Sequence, residues 1–410
     1  MGGCVILNSV NTTALYLHIP FCRRRCGYCD FNTYAGLQHL IPTYVDALCR
    51  EITLVAASAP QPLAASTVFF GGGTPSLLSA DQAAQILNTL RESFDFSQCS
   101  EITLEANPGT LTRENLAGYR EAGINRLSLG MQSAVPAELA LLERQHTPGD
   151  VPTAVAAART AGFDNLSLDL IYGLPNQSVE SWLTSLRAAL DLAPEHLSAY
   201  CLTVEEGTPL HKQVQNGVVA QPEEEPAAAQ FEAAVQLLAA AGFEQYEISN
   251  FAARRGGRLL ASQHNLTYWR NQPYLGFGAG AHGCAAHTRT ANLNQVADYI
   301  KSVNSGADTV FPASPAAESV HRQTEWEEIE ETMMLGLRLT QEGVSAAAFR
   351  DRFGRNIRDL FPRQIRKLET RSLVEWDGET LRLSPLGRLL GNQVFLEFVG
   401  NAPPPDYTSG

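Results

Sequence analysis

The sequence lacks any apolar run long enough to cross a membrane, and it also lacks an excess of basic residues. No hydrophobic stretch in the 410 residues approaches the roughly 20 residues that a membrane-spanning helix needs. Lys and Arg number 30 against 43 Asp and Glu, which gives a formal net charge of −13. Nucleic acids and anionic membranes bind basic protein surfaces. We therefore expect no nucleic-acid partner and no stable membrane insertion.

Targeting signals and a disulfide framework are lacking as well. Ile6 stands where a myristoylation signal needs Ser or Thr, and Cys4 comes too early for a lipoprotein signal. Eight cysteines are ordinary usage for this length, and five of them are scattered, mostly in apolar stretches: Cys4, Cys49, Cys99, Cys201 and Cys284. Free thiols indicate a reducing compartment, so we expect a cytoplasmic protein.

The other three cysteines are close together near the start of the chain. Cys22, Cys26 and Cys29 form the pattern CxxxCxxC within the segment YLHIPFCRRRCGYCDF. Soft thiolate ligands favour iron–sulfur and zinc centres. Zinc would need a fourth ligand, for which His18 is a candidate, but no second cysteine pair lies nearby. An Fe4S4 cluster with three protein ligands would keep one iron open for another molecule. The run Arg23–Arg25 is either a solvated loop or a source of positive charge that holds the thiols as thiolates.

Strand-like and helix-like segments alternate from Ala14 to Leu202. Six such units predict an α/β fold, a partial (β/α)6 TIM-like barrel with parallel strands and right-handed crossovers. In such barrels the chemistry takes place at the C-terminal ends of the strands. We therefore expect the functional residues at those ends.

Unusual residues occur at these strand ends. The run Gly71-Gly72-Gly73-Thr74 is either a tight turn or a place where the backbone approaches a ligand closely. Asp169 lies in an otherwise apolar strand, where an unpaired charge is costly. Further polar residues at successive strand ends are Glu105, Gln132 and Arg144. Each could be structural alone, but together with the cysteine motif they predict one ligand site.

These motifs resemble those of the radical S-adenosylmethionine (SAM) superfamily. From Tyr16 to about His282 the chain is similar to the group that contains oxygen-independent coproporphyrinogen III dehydrogenase and the HemW-type heme chaperones. The shared motifs are YLHIPFC, FFGGGTPSLL, LEANPGT, RLSLGMQS, LERQH and LSLDLIYGLP. The resemblance implies a 4Fe-4S cluster held by Cys22, Cys26 and Cys29. It also implies SAM contacts from Tyr16, Gly72, Gly73, Thr74, Glu105, Gln132, Arg144 and Asp169, with Tyr28 and Thr203 as weaker candidates.

Two features distinguish the branches of this group. The dehydrogenase has a fourth cysteine two positions after the third, where this chain has Phe31. His264, Tyr268 and Trp269 match the HNxxYW motif of the heme chaperones, and imidazole can bind heme iron. An ordinary aromatic-rich strand edge with a hydrogen-bonded His is the alternative for this motif.

The resemblance thus implies a chaperone that binds heme and transfers it to acceptor proteins, with an exchangeable SAM. An electron donor such as flavodoxin or ferredoxin and a homodimer are also expected. The alternative function is the oxidative decarboxylation of coproporphyrinogen III in heme biosynthesis.

The composition predicts six regions along the chain. Helices at Glu325–Leu339, Val344–Phe353, Ile357–Lys367 and Ser384–Phe398, with a hairpin at Asp377-Gly378, predict a winged-helix-like α+β domain. The regions are a flexible N-terminus (1–12), the barrel (13–240), an extension with the HNxxYW motif (241–311), a linker (312–324), the C-terminal domain (325–400) and a disordered tail (401–410).

Overall fold

Strands and helices alternate through the first half of the chain. The computed structural model describes residues 12–404 and residue 407. The strands are β1 (Thr12–Ile19), β2 (Phe21–Cys22), β3 (Tyr34–Ala35), β4 (Ala64–Gly72), β5 (Glu101–Ala106), β6 (Arg126–Gln132), β7 (Leu166–Tyr172) and β8 (His196–Cys201). The helices are α1 (Ile41–Ser58), α2 (Ala80–Ser93), α3 (Arg113–Ala122), α4 (Pro136–Leu141), α5 (Asp150–Thr160) and α6 (Val179–Leu190). Strands β1 and β4 to β8 are parallel neighbours in chain order. The predicted α/β fold with six βα units is confirmed.

The following segments extend this sheet on both sides. The strands are β9 (Phe243–Gln245), β10 (Asn250–Arg255), β11 (Arg258–Leu259), β12 (Tyr274–Phe277), β13 (His282–Ala285), β14 (Thr288–Asn292) and β15 (Ala317–Arg322). The helices are α7 (Pro209–Gln215), α8 (Glu224–Ala240), α9 (Gln263–Trp269) and α10 (Val296–Val303). The order is β11-β10-β8-β7-β6-β5-β4-β1-β12-β13-β14-β15, with β9 paired to β10. One apolar core runs under this sheet.

Local sequence explains why the first helices and strands form where they do. Ser79 and Gln82 make a reciprocal capping box at the start of α2, and Thr112 and Asn115 make another at the start of α3. Gly123 ends α3 in the left-handed conformation, which glycine adopts without steric cost. The central parallel strands are buried apolar runs because helices and neighbouring strands cover them.

The C-terminal region forms a second core. Its elements are α11 (Glu325–Gly336), β16 (Val344–Ser345), α12 (Ala346–Phe353), α13 (Ile357–Leu360), α14 (Pro362–Thr370), β17 (Val374–Trp376), β18 (Thr380–Leu383), α15 (Pro385–Leu389) and α16 (Gly391–Phe395). The three strands form an antiparallel sheet in the order β16-β18-β17, against which the helices pack. This is the α+β arrangement that the sequence predicted.

Four predicted elements in this region differ from the structure. The predicted helix Val344–Phe353 begins only at Ala346, because Val344–Ser345 pairs with β18 as strand β16. The predicted linker 312–324 contains β15, which pairs with β14 as the edge strand of the large sheet, because its backbone completes an open sheet edge. The predicted helix Ile357–Lys367 breaks before Pro362, which lacks an N–H and disfavours a helical residue ahead of it. The predicted helix Ser384–Phe398 breaks after Leu389 and continues from Gly391, and its end, Leu396–Phe398, is a 3-10 turn.

The two predicted flexible ends have different outcomes. Most of the predicted flexible N-terminus, residues 1–11, lies outside the described residues. In the predicted disordered tail, the Asn401 backbone N–H donates to Glu330, and the Tyr407 hydroxyl donates to Glu325 at 2.5 Å. The Tyr407 ring also packs edge-on against Trp326. These two tail residues are therefore anchored to α11.

Across residues 12–404 and 407, no helix combines the length and the apolar character that crossing a membrane requires.

Candidate functional site

The three clustered cysteines lie in the loop that follows β1, at the C-terminal edge of the barrel sheet. Strand β2, which contains Cys22, pairs with β3 and closes this loop, and the Cys29 N–H donates to the carbonyl of Cys26 at 3.2 Å. All three thiols are free and line one cavity of about 360 Å³. The fold therefore brings the predicted ligands together at a single place.

Two side chains donate hydrogen bonds to these sulfurs. Thr74 Oγ1 lies 3.4 Å from Cys22 Sγ, and Arg144 Nη1 lies 3.6 Å from Cys26 Sγ. Burial raises the pKa of the Cys22 and Cys29 thiols, while Thr74 and Arg144 act in the opposite direction on Cys22. Metal binding deprotonates such thiols, and donors of this kind stabilise the resulting thiolates. The donor set therefore fits a cluster with three thiolate ligands.

The geometry does not favour the zinc alternative. Both ring nitrogens of His18 are engaged, Nδ1 with the Tyr16 hydroxyl at 3.0 Å and Nε2 with the Asn32 carbonyl at 2.9 Å. In the part of the chain that the structure describes, no three Cys, His or acidic side chains are placed so that they could together hold one metal ion. A single zinc ion needs its ligands about 2.0–2.3 Å away, whereas a cube binds each thiolate through a different iron.

The arginine run in this loop is solvated. Arg24 pairs with Glu143 at 2.9 Å, and Arg25 donates to the carbonyl of Cys29 at 3.1 Å. Arg23 approaches the carbonyl of Gly109 at 3.4 Å. All three side chains are exposed, and none donates to a described thiol. The structure favours the solvated-loop interpretation for this run, while Arg144 supplies the contact to sulfur.

The glycine run at the end of β4 requires glycine at two positions. Gly72 has φ +110, and its N–H donates to Glu105 at 3.2 Å. A Cβ on Gly73 would lie 2.7 Å from the Phe21 carbonyl oxygen, because this segment passes directly behind the cysteine loop. The run thus holds the backbone against the cluster loop, where the N–H groups of Gly73 and Thr74 donate to the carbonyls of Ile19 and Phe21 at 2.9 and 2.8 Å.

Two buried carboxylates form one wall of the cavity. Burial, together with the nearby Asp169, raises the pKa of Glu105 to about 8. Burial also raises the pKa of Asp169, although the Ser128 hydroxyl donates to both its oxygens at 3.0 and 3.1 Å. In either protonation state, carboxyl oxygens in such a cavity can accept hydrogen bonds from ligand hydroxyl groups, such as those of a ribose.

Beside these carboxylates the cavity also contains a buried guanidinium with an unused donor. Arg144 Nη2 donates to the carbonyl of Gly130 at 2.9 Å, while its Nε is buried without a partner among the described residues. Gln132 lies beside it with φ 63, a conformation rare for residues other than glycine, at an irregularity of β6. An unpartnered buried donor and a strained residue are typical of a ligand site.

Nearly all the predicted SAM residues line this one cavity. They are Tyr28, Gly72, Gly73, Thr74, Glu105, Gln132, Arg144, Asp169 and Thr203. Tyr16 does not line it, but borders a smaller polar cavity of about 110 Å³ inside the barrel. The lining residues that sequence reasoning missed include Thr33, Asn107, Ser128, Tyr200 and Cys201. Their position next to the cysteine motif or the predicted strand ends was the available signal.

The HNxxYW motif forms helix α9 rather than a strand edge, and it closes the smaller cavity. His264 is 1% exposed, with Nδ1 2.8 Å from the Thr67 hydroxyl and Nε2 2.9 Å from that of Tyr268. Trp269 stacks on the Arg338 guanidinium of the C-terminal region at 4.4 Å. Both imidazole nitrogens are therefore occupied in this conformation. The geometry favours a structural role for His264, so that its predicted heme contact rests on the resemblance alone.

Comparison with protein families gives two matches. Residues 16–189 match the model of the radical SAM superfamily, and residues 323–390 match that of the HemN C-terminal domain. The first match contains the cysteine loop and the strand ends that line the cavity, except the end of β8.

Curated relatives and a solved structure extend these matches over nearly the whole chain. The heme chaperone HemW of Bacillus subtilis is 41% identical over 386 residues, covering 94% of this chain and 98% of that protein. The heme chaperone HemW of Mycobacterium tuberculosis is 38% identical over 393 residues, covering 94% of each chain. The structure of coproporphyrinogen III oxidase (HemN) from Escherichia coli matches with a TM-score of 0.80 at 23% identity, covering 95% of this chain and 90% of that one. At that identity the structural match supports the fold alone.

Proposed function

We propose, from the premise that this chain belongs to the HemW family within the radical SAM superfamily, that it binds heme and transfers it to acceptor proteins. The observation that carries this proposal is the full-length similarity to curated heme chaperones at up to 41% identity. The nearest alternative, oxidative decarboxylation of coproporphyrinogen III, is supported by a likeness of fold at 23% identity.

Phe31 also supports the chaperone over the enzyme. It occupies the position of the dehydrogenase's fourth cysteine, is 63% exposed and lies at the rim of the cluster cavity. A phenyl ring has neither a thiol group nor a proton that it could transfer to a substrate. It offers instead an apolar contact beside the cluster.

Membership of the radical SAM superfamily implies an Fe4S4 cluster and SAM. The cluster would supply an electron and an open iron for SAM, and Cys22, Cys26 and Cys29 would hold it. The residues of the cavity would bind and orient SAM: Glu105 and Asp169 through ligand hydroxyl groups, and Arg144 through its free Nε donor. Arg144 also donates to the Cys26 sulfur, so that one side chain would contact both a cluster ligand and SAM.

The identity of the partners is a further part of the proposal. The exposed run Arg23–Arg25 gives the cluster loop a local positive charge on a chain of net charge −13. Such a surface suits an acidic electron donor, such as flavodoxin or ferredoxin, at low ionic strength.

We propose a cytoplasmic location, where thiols stay reduced, and a homodimer as the assembled form.

Heme uptake tests the proposed function against the enzymatic alternative. We expect purified protein to take up heme and show a Soret band, and to form no protoporphyrinogen from coproporphyrinogen III after anaerobic reconstitution. Because a ligand bound only by the folded state stabilises it by RT ln(1 + [L]/Kd), heme at a hundredfold excess over Kd should add about 2.7 kcal/mol and raise the Tm. Robust decarboxylation without heme uptake would reverse the assignment.

The two buried carboxylates allow a test of the SAM site. SAM added to the reduced, reconstituted cluster should change its electron paramagnetic resonance spectrum. Asp169→Ala should weaken this response, because the variant loses a hydrogen-bond acceptor in the cavity, and it should retain the cluster. Asp164→Ala is the matched control, since Asp164 is exposed and outside the cavity. Identical wild-type spectra with and without saturating SAM would contradict a SAM site.

A further inference from the structure

A second large cleft lies between the sheet and the C-terminal region. It has a volume of about 580 Å³, which is within the range of roughly 300–1,000 Å³ that small-molecule pockets occupy. One wall is the turn between β13 and β14, and the other is formed by α11 and the end of α12. None of its lining residues belongs to the cavity at the cysteines, so it is a separate site.

A histidine stands in the wall of this cleft with one ring nitrogen free. His287 occupies the turn with φ 56, beside Ala286 with φ 49. Turns of this kind usually contain Asn or Gly, so an alanine and a histidine here are held in an unfavoured conformation. The His287 side chain is 70% exposed, and its Nδ1 is paired with the carboxylate of Glu328 on α11. Within the described residues, Nε2 makes no hydrogen bond.

This imidazole–carboxylate pair is arranged as in metal-binding histidines. A carboxylate that accepts a hydrogen bond from one ring nitrogen fixes the tautomer and orients the other nitrogen toward a metal. Glu328 is itself mostly buried and is approached by Arg352 at 3.6 Å, so that its position is fixed by the surrounding side chains. His287 can therefore present Nε2 as a ligand without rearrangement of its partner.

The remaining walls contain two arginines that suit the carboxylates of a porphyrin, together with amide side chains and the acidic Glu325. Arg322 is exposed at the cleft, and Arg352 lines it as well, with Nη1 donating to the Asn271 carbonyl at 2.8 Å and Nη2 lying 3.6 Å from Glu328. Guanidinium groups bind carboxylates with two parallel hydrogen bonds. Pro273, Ala285 and Phe353 add apolar surface to the same cleft.

We infer that heme binds in this interdomain cleft, with His287 Nε2 as an axial ligand to the iron and with Arg322 and Arg352 as partners of the propionates. This inference rests on the proposed function and assigns it a place in the fold. The cavity of about 360 Å³ at the cysteines is lined by the residues expected to hold SAM, and both nitrogens of His264 are bonded. Neither of those places offers the iron a free imidazole together with cationic groups.

The test is a heme titration of the full-length protein followed by its Soret band. His287→Ala should shift the band and weaken heme binding. Glu328→Gln should weaken it by at least about tenfold, which is typical of losing the group that orients a metal ligand. His321→Ala is the matched control, because His321 is also an exposed histidine paired with a glutamate of α11, at 3.0 Å, and it does not line the cleft. This control should bind heme as the wild type does.

The results of these titrations distinguish failure of the proposed chaperone function from failure of the cleft as the heme site. If the wild type takes up no heme, the proposed function fails and this inference fails with it. If the wild type binds heme and His287→Ala gives the same Soret band and affinity as His321→Ala, the cleft assignment is overturned and the chaperone function stands. Restoration of the wild-type band in His287→Ala by added imidazole would support axial ligation. If that variant does not fold, resonance Raman spectra of the wild-type complex decide, because the absence of an iron–imidazole vibration overturns the assignment.

Discussion

Replacing Cys22, Cys26 or Cys29 with alanine is expected to abolish the Fe4S4 cluster formed by anaerobic reconstitution. The three thiols line one cavity, and a cube that already has only three protein ligands has no replacement for a lost one. The other free cysteines of this part of the chain, Cys49 and Cys99, are outside this cavity. Iron and sulfide analysis, with the absorption of the brown cluster, provides the measurement.

Alanine at Cys49 or Cys99 is the control for this prediction, and iron content should be unchanged in both variants. Each control also removes one partly buried thiol, so a nonspecific effect of the substitution would appear in them. Wild-type protein that took up zinc but no iron and sulfide under reconstitution conditions would contradict the whole assignment of the site.

Replacing His264 with alanine is expected to cost about 3 kcal/mol of folding free energy while heme uptake is retained. The substitution leaves a buried cavity and removes the partners of the Thr67 and Tyr268 hydroxyls, and a buried group without its hydrogen bond costs about 1–3 kcal/mol. Urea unfolding of the apoprotein gives the free energy, and the Soret band gives heme uptake. His39→Ala, at an exposed position of the same chain, is the control. A variant of wild-type stability that has lost its Soret band would instead make His264 a heme ligand.

The same histidine contributes to the dependence of stability on pH. Burial, together with Arg126, lowers the pKa of His264 to about 3 from its usual value near 6.5. Between those two values the unfolded chain binds a proton that the folded chain does not, so this contribution is fully present above pH 6.5 and is lost as the pH falls toward 3. His264→Ala should therefore show a shallower loss of stability on acidification than the wild type.

Prediction from the sequence succeeded in placing residues that belong to local patterns. The cysteine spacing, the glycine run and the carboxylates at strand ends were readable because parallel strands bring their C-terminal ends to one edge of a sheet. Glu105 and Asp169, which are 64 residues apart in the chain, were therefore expected in one place, and the cavity contains both. The predicted fold class followed from the same alternation of strands and helices.

The motif around His264 shows where such prediction stops. The sequence supplies an imidazole with neighbouring aromatic residues, which suits both a ligand and a buried hydrogen-bonded group. Only the tertiary structure shows that the Thr67 hydroxyl of another strand takes one nitrogen and Tyr268 takes the other. Tyr16 illustrates the same limit, because it lies inside β1, three residues before the end of the strand at Ile19, and borders the smaller cavity.

The sequence by itself determined the chemistry of the cluster loop and the barrel, because both depend on spacing along the chain and on the period of buried residues. The tertiary structure alone decided which polar side-chain atoms keep no hydrogen-bond partner within the described residues and which distant segments pack against each other. His287 and Glu328 are 41 residues apart, in a turn and in a helix that no local pattern connects. Their pairing across the interdomain cleft depends on how β15 joins the large sheet and directs α11 against it. That placement results from packing between distant segments, which spacing in the sequence does not specify.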